Sequence, residues 1–249
     1  MNIVVNVKIV PEKISIDKES CRIKREGNSI FNPLDLIALE EAIKFKKTDN
    51  TSISVVSMAP LKEKMLLSKL FKYGVDRVIL LTDKSFAGSD TIATSFILKE
   101  AIIRLIKTYD LIIQGDFSLD GSTGNVGGEI AAFLNIPYIS NAISIEKNGG
   151  RIKVKRVSER IETFSVELPA LISVRKEANN GVSTNLFSLV QSFNKEVEVY
   201  TNETLNLGLR ESMTRVLSVR EENPEAYIDL VTSNGDKIIF DFLKKVGII

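Results

Sequence analysis

Along the first 140 residues, short apolar runs alternate with amphipathic stretches of helical length. That rhythm produces a parallel sheet covered by helices, because each crossover helix must bury one apolar stripe on the strands it connects. Residues 2–9 read as a strand. Asn32-Pro33 opens a helix to about residue 47, with proline at its first position and Leu36, Leu39, Ala42 and Ile43 at helical spacing. A strand at 51–58, a helix at 61–73 and a strand at 77–82 follow. Ser89 or Asp90 caps a helix to about 107, residues 111–114 form the fourth strand, and 123–134 the next helix. Past Pro137 the texture changes. Asn148-Gly149-Gly150 is a hairpin signal between runs at 143–146 and 153–157, and Phe164, Val166 and Leu168 alternate with polar residues. An antiparallel extension is implied. Residues 175–184 are polar and turn-rich, and 186–193 read as a short helix. The stretch after 195 holds a strand at 197–200, a polar run and a last helix at 237–245. It has too few apolar residues to close a core, which divides the chain into an α/β domain at 1–195 and an arm at 196–249 that should pack on the main domain or on a partner.

Composition narrows the chemistry. With 33 Lys and Arg against 32 Asp and Glu, the net charge of +1 offers no broad field for nucleic acid. The absence of histidine and the lone Cys21 exclude a Ser-His triad, a Cys-His dyad and a His/Cys zinc site. Redox work would therefore fall to a bound cofactor. No leader is expected and no run reaches membrane-spanning length, so a soluble cytoplasmic protein without membrane insertion is the expectation.

In a parallel α/β sheet the ligand lies beyond the carboxyl ends of the strands. Three loops fall there: Asn6-Val7-Lys8, Ser57-Met58-Ala59-Pro60, and the stretch from Gly115 to Gly128. The third mixes glycines with small hydroxyls before a helix, which suits a phosphate: backbone N–H groups approach closely and the helix N-terminus adds partial positive charge. It lacks both the Gly-Lys-Ser/Thr of a Walker loop and the dinucleotide G-x-G-x-x-G spacing, and a capped turn has the same composition.

The order of motifs resembles that of electron-transfer flavoprotein beta subunits from end to end. Val7-Lys8-Ile9-Val10-Pro11 is similar to their Val-Lys-x-Val-Pro, and Asn32-Pro33-Leu34-Asp35 with Ala38-Leu39-Glu40-Glu41-Ala42 to their helix entry. Val56-Ser57-Met58-Ala59-Pro60, Tyr73-Gly74-Val75-Asp76-Arg77, Phe86-Ala87-Gly88-Ser89-Asp90-Thr91 and Leu168-Pro169-Ala170-Leu171 have counterparts in the same order. Asp120-Gly121-Ser122-Thr123-Gly124-Asn125-Val126-Gly127 resembles Asp-Gly-Asp-Thr-Gly-Gln-Val-Gly, and Phe242-Leu243-Lys244-Lys245-Val246-Gly247-Ile248 the family ending. The resemblance implies a Rossmann-like, universal-stress-type sandwich. It implies an adenine-nucleotide site on Asn6, Asn32, Pro33, Leu34, Asp35, Met58 and the loop from Ser118 through Asp120, Gly121, Ser122, Thr123, Gly124 and Asn125 to Val126, with Lys8 beside it. That site holds AMP in simpler members and a second FAD in electron-bifurcating ones, the short loop here being like the latter. Asn125 stands where Gln is usual and Gly128 where Pro is usual. The resemblance further implies no catalytic side chains, FAD shared with or held by an alpha-type partner in a heterodimer, and a dehydrogenase or ferredoxin/quinone-linked redox partner. Of the family's dehydrogenase-docking segment only Leu186 is kept. A stand-alone regulator of the universal-stress type is the alternative, and a nucleotide-activating ligase or hydrolase would need a Ser-Gly-Gly-x-Asp loop that is missing.

Overall fold

The computed structural model describes residues 1–17, 22–48, 50–184, 186–207, 212, 214 and 235–245. Cys21 and the end of the C-terminal motif lie outside these. Strands β1 (Asn2–Asn6), β4 (Ser52–Met58), β5 (Arg77–Leu81), β6 (Leu111–Gly115), β7 (Tyr138–Asn148), β8 (Arg151–Val157), β9 (Ile161–Glu167), β10 (Ala170–Val174) and β11 (Glu198–Tyr200) form one sheet, ordered β11-β5-β4-β1-β6-β10-β7-β8-β9. Pairing is parallel from β11 to β7 and antiparallel across β7, β8 and β9, as the hairpin signal predicted. The chain lays β4 and β5 on one side of β1, then returns to lay β6 on the other. The reversal leaves a crevice at the carboxyl ends of β1 and β6, the usual ligand position of such sheets.

Alternation along the strands sorts the core into two layers. Ile3, Val5, Ile53, Val55, Leu111 and Ile113 face helix α1 (Pro33–Thr48) through Ala38, Leu39 and Ala42. On the other face Val4, Val56, Ile79 and Ile112 meet helices α3 (Thr91–Ala101) and α4 (Asn125–Leu134) through Ile97, Leu98, Ile130 and Ala131. Each fully buried Leu or Ile contributes roughly 1.5–3 kcal/mol, which is why the apolar runs override weak local propensities.

The structure departs from the sequence reading in four places. The first strand stops at Asn6, and residues 9–17 and 22–31, read as no element beyond the strand end, form β2 (Ile9–Asp17) and β3 (Arg22–Phe31), a separate two-stranded sheet. The helix expected over 61–73 is broken into 3-10 turns around the short α2 (Lys64–Ser68), ending where Gly74 turns left-handed at φ 91°. The helix expected to about 107 is α-helical only to Ala101 and continues as a π turn, Ile102–Ile106. The helix expected from 123 begins at Asn125.

Two compact units divide the chain, one of residues 1–15 and 24–217, the other of 16–23 and 218–249. In the first, β11 and the short α6 (Asn202–Leu205) belong to the main body. Val197, Leu205 and Leu207 are buried, and Arg77 grips Glu198 through two 2.8 Å bonds. In the second, α7 (Gly235–Lys245) exposes Ile239 and Phe240, with Lys244 over the Phe240 ring.

Candidate functional site

Asn32 joins two of the loops nominated from sequence. Its side-chain Nδ2 donates to the Phe117 carbonyl at 3.0 Å and its Oδ1 accepts from Leu119 N at 3.3 Å, while its own backbone N donates to the Lys8 carbonyl at 2.8 Å. Three residues on, Asp35 receives Lys8 N at 2.7 Å on one carboxylate oxygen and Gly115 N at 3.0 Å on the other. The first turn of α1 thus fixes the ends of β1 and β6 with one amide and one carboxylate. Burial pushes the Asp35 carboxyl up to about 6 against the lowering effect of Lys8 N, the Asn32 side chain and Gly115 N. Gly115 is required here. A Cβ on it would stand 2.5 Å from Asp35 Oδ1 and 2.6 Å from Leu34 Cβ.

Beyond Gly115 the loop folds on itself. Ser122 donates its backbone N to the Ser118 carbonyl at 2.9 Å and takes a positive φ of 51°. Gly124, at φ 65°, is the N-cap of α4, and having no side chain it puts no hydrogen-bonding cap on the first turn of the ten-residue helix. Gly127 lets that turn lie against the sheet, where a Cβ would meet Gln114 Nε2 at 2.8 Å. Lys8 reaches over from β1, its Nζ 3.1 Å from Ser118 Oγ and 2.5 Å from Asp120 Oδ1. The structure therefore brings together Asn6, Lys8, the Asn32 to Asp35 turn, Ser118 and the Asp120 to Val126 loop around the ends of β1 and β6. Met58 ends β4, the next strand over.

Two polar atoms at this edge lack hydrogen-bond partners among the described residues. Asn6 donates Nδ2 to Gln114 Oε1 at 3.0 Å, yet its Oδ1 is buried and unmatched, and so is Ser57 Oγ. Leaving a buried polar group unpaired costs about 1–3 kcal/mol, so a polar ligand or water at this edge fits the residues present. An adenine nucleotide's phosphate likewise fits a cation, two hydroxyls and an uncapped helix N-terminus.

Sequence reading missed the polar residues under the loop. Asp116 Oδ1 accepts from Ser173 Oγ at 2.6 Å and from Asn141 N at 3.3 Å, and Tyr138 OH meets Ser173 Oγ at 3.1 Å. This ties β10 and β7 to the loop's first residue. The available signal was a polar side chain closing each apolar strand, Gln114 on β6 and Ser173 on β10. Leu186 lies elsewhere, at the start of α5 (Leu186–Ser192), 77% exposed beside Phe187 at 71%. Among the described residues no group of three or more Asp, Glu or Cys is placed to hold a metal ion, and no helix is long and apolar enough to cross a membrane.

A family model described as the electron transfer flavoprotein domain matches residues 20–204. The chain belongs to the electron transfer flavoprotein family. Several of the relatives it matches are named beta subunits. A chain named electron transfer flavoprotein subunit beta from Clostridium acetobutylicum is 36% identical over 225 residues, 87% of this chain and 86% of the relative. A namesake from Thermoanaerobacterium thermosaccharolyticum is 33% identical over 257 residues, covering 99% and 98%. A third, from Acetobacterium woodii, is named caffeyl-CoA reductase-Etf complex subunit CarD and is 32% identical over 226 residues, covering 87% and 86%. As an electron transfer flavoprotein chain, the protein is assigned to electron transport rather than to the stand-alone regulators, and its mostly parallel nine-stranded sheet is the fold expected of it.

Proposed function

We propose that the chain is the beta-type subunit of a cytoplasmic flavoprotein heterodimer that carries electrons between a dehydrogenase or other redox partner and a downstream acceptor. In this reading it has no catalytic side chain of its own. Flavin supplies the one- and two-electron steps, and the chain binds, orients and electrostatically tunes the cofactor. An adenine nucleotide, AMP or the adenine half of a second FAD, sits at the carboxyl edge of β1 and β6. Its phosphate rests on the first turn of α4 and the hydroxyls of Ser122 and Thr123, with Lys8 as counter-charge. The observation that carries this is the clamp: Asn32 and Asp35 hold both loops in place with the helix N-terminus uncapped. Pre-organised N–H groups bind an anion without the cost of ordering a loop.

The relatives' names support a partner of the alpha type, and that of the third supports an acyl-CoA-linked reductase as one kind of redox partner. Leu186, Phe187 and Val190 on α5 are the proposed docking residues for it, and residues 218–249 the arm that packs on the alpha-type chain. Co-expression with an alpha-type partner tests the reading. The complex should be yellow and reducible by its donor, whereas the chain alone should be inert to reduced nicotinamide. Turnover of such a donor by the flavin-free single chain would overturn it.

A further inference from the structure

Helix α5 is built inside out. Leu186, Phe187, Leu189 and Val190 are exposed, Phe193 just beyond the helix is 79% exposed, and Ser188 is the one buried residue of the seven. So short a helix is marginal by itself, and one that turns a serine inward gains little from burial. Its conformation must be held from its ends. Upstream, Asn179 donates Nδ2 to the Ile37 carbonyl at 3.0 Å and to Glu41 Oε1 at 2.8 Å, both on α1, while its Oδ1 accepts from Gly181 N at 2.7 Å. Downstream, Lys195 donates Nζ to the Val75 carbonyl at 2.8 Å and lies 4.0 Å from Asp76 Oδ1 and 5.8 Å from the centre of the Phe71 ring. Between the two, Gly74 lets the helix approach: a Cβ there would stand 3.2 Å from Ser188 Oγ. Lys46 braces that turn from α1, donating to the Gly74 carbonyl at 2.9 Å and to both Asp76 carboxylate oxygens at 2.5 Å.

We propose that Asn179 and Lys195 are the positioning residues of the redox-partner docking surface, clasping the two ends of α5 so that Leu186, Phe187, Val190 and Phe193 meet a protein electron donor in a preset geometry. The inference rests on the docking reading above and adds the residues that set its geometry. Neither clasp needs to touch the donor. When a clasp is lost, only the fraction of molecules with α5 in place can bind, so apparent affinity falls by that fraction while the docked complex is unchanged.

The test is stopped-flow reduction of the heterodimer by an acyl-CoA dehydrogenase charged with its acyl-CoA, beside reduction by dithionite, which needs no docking. The variants are Asn179→Ala, Lys195→Met, and Glu41→Gln combined with Asn179→Asp, in which amide and carboxylate trade places and the bond between 41 and 179 can re-form. The two clasps are independent, so either single variant carries the test where the other fails to fold. Each single variant should raise the half-saturating heterodimer concentration about tenfold, equivalent to about 1.4 kcal/mol, with the limiting rate and the dithionite rate within about twofold of the parent. The exchanged pair should return to within about threefold of the parent. Unchanged half-saturation in the single variants, a fall in limiting rate instead, or an exchanged pair no better than Asn179→Ala would overturn the positioning role and leave the docking surface standing. A parent heterodimer reduced by dithionite but not by the dehydrogenase at any concentration would overturn the docking reading, and the proposal with it.

Discussion

Asp35 is an acidic residue in the first turn of a helix, a placement that sequence alone explains by the helix dipole. Its two backbone bonds to Lys8 and Gly115 span 27 and 80 positions of sequence, so no local pattern could have announced them. The same holds for Asn32, legible as the residue before a helix-starting proline but not as a clamp on Phe117 and Leu119. Since burial raises the Asp35 carboxyl from 3.8 to about 6, the native state binds more protons than the unfolded state between those values. Its stabilising share is therefore complete below about pH 4 and falls away as pH rises through 6, by about 3 kcal/mol at 1.36 kcal/mol per pKa unit. Urea unfolding of parent and Asp35→Asn at pH 4, 5, 6 and 7 checks this: the stability difference, parent minus variant, should shrink by that order over the window. A flat difference would mean Asp35 titrates normally. Gly115→Ala should destabilise by about 1–3 kcal/mol through overpacking against Asp35 and Leu34, read from the same unfolding curves.

At the scale of elements, those with a dense apolar run were legible: α1, β4, β5, β6 and the β7–β8 hairpin all fall within a few residues of their expected positions. The β2–β3 pair was not, because its residues 12–17 and 22–26 are mostly charged and their alternation is carried by isolated isoleucines. Strand β10 was legible only as a motif. Its place between β6 and β7 is set by tertiary pairing, five residues in register with β6, rather than by anything local. The start of α4 was misplaced by two residues because Thr123 looks like a helix former's cap while Gly124, in the left-handed region, is what turns the chain. On α5, Leu186 and Phe187 are exposed and contribute little to folding. The double replacement Leu186→Ser, Phe187→Ser should change stability by less than about 0.5 kcal/mol while slowing reduction of the complex by its protein donor about tenfold or more. Stopped-flow reduction with that donor decides, and an unchanged rate would place docking elsewhere.

For the molecule as a whole, the boundary read from sequence at 195/196 cuts across a packed region. Removing everything after Thr201 deletes the buried Leu205 and Leu207 as well as the arm, and each such core deletion costs about 2–5 kcal/mol. Ending the chain after Leu217 keeps the first compact unit whole and removes only 218–249. That shorter chain should unfold at the parent's urea midpoint yet fail to co-purify with the alpha-type partner, and retained co-purification would refute the arm. The most direct measurement is the adenine-nucleotide content of the purified heterodimer, by extraction and chromatography, for the parent, Gly124→Ala and Gly124→Glu. Both variants strain the left-handed backbone at this position, but only Glu adds bulk and negative charge at the uncapped helix. One adenine nucleotide per beta-type chain, beyond the flavin of the partner, is expected in the parent, kept largely in the Ala variant and lost in the Glu variant. Parental nucleotide content in Gly124→Glu would contradict the placement of the site at the carboxyl edge of β1 and β6.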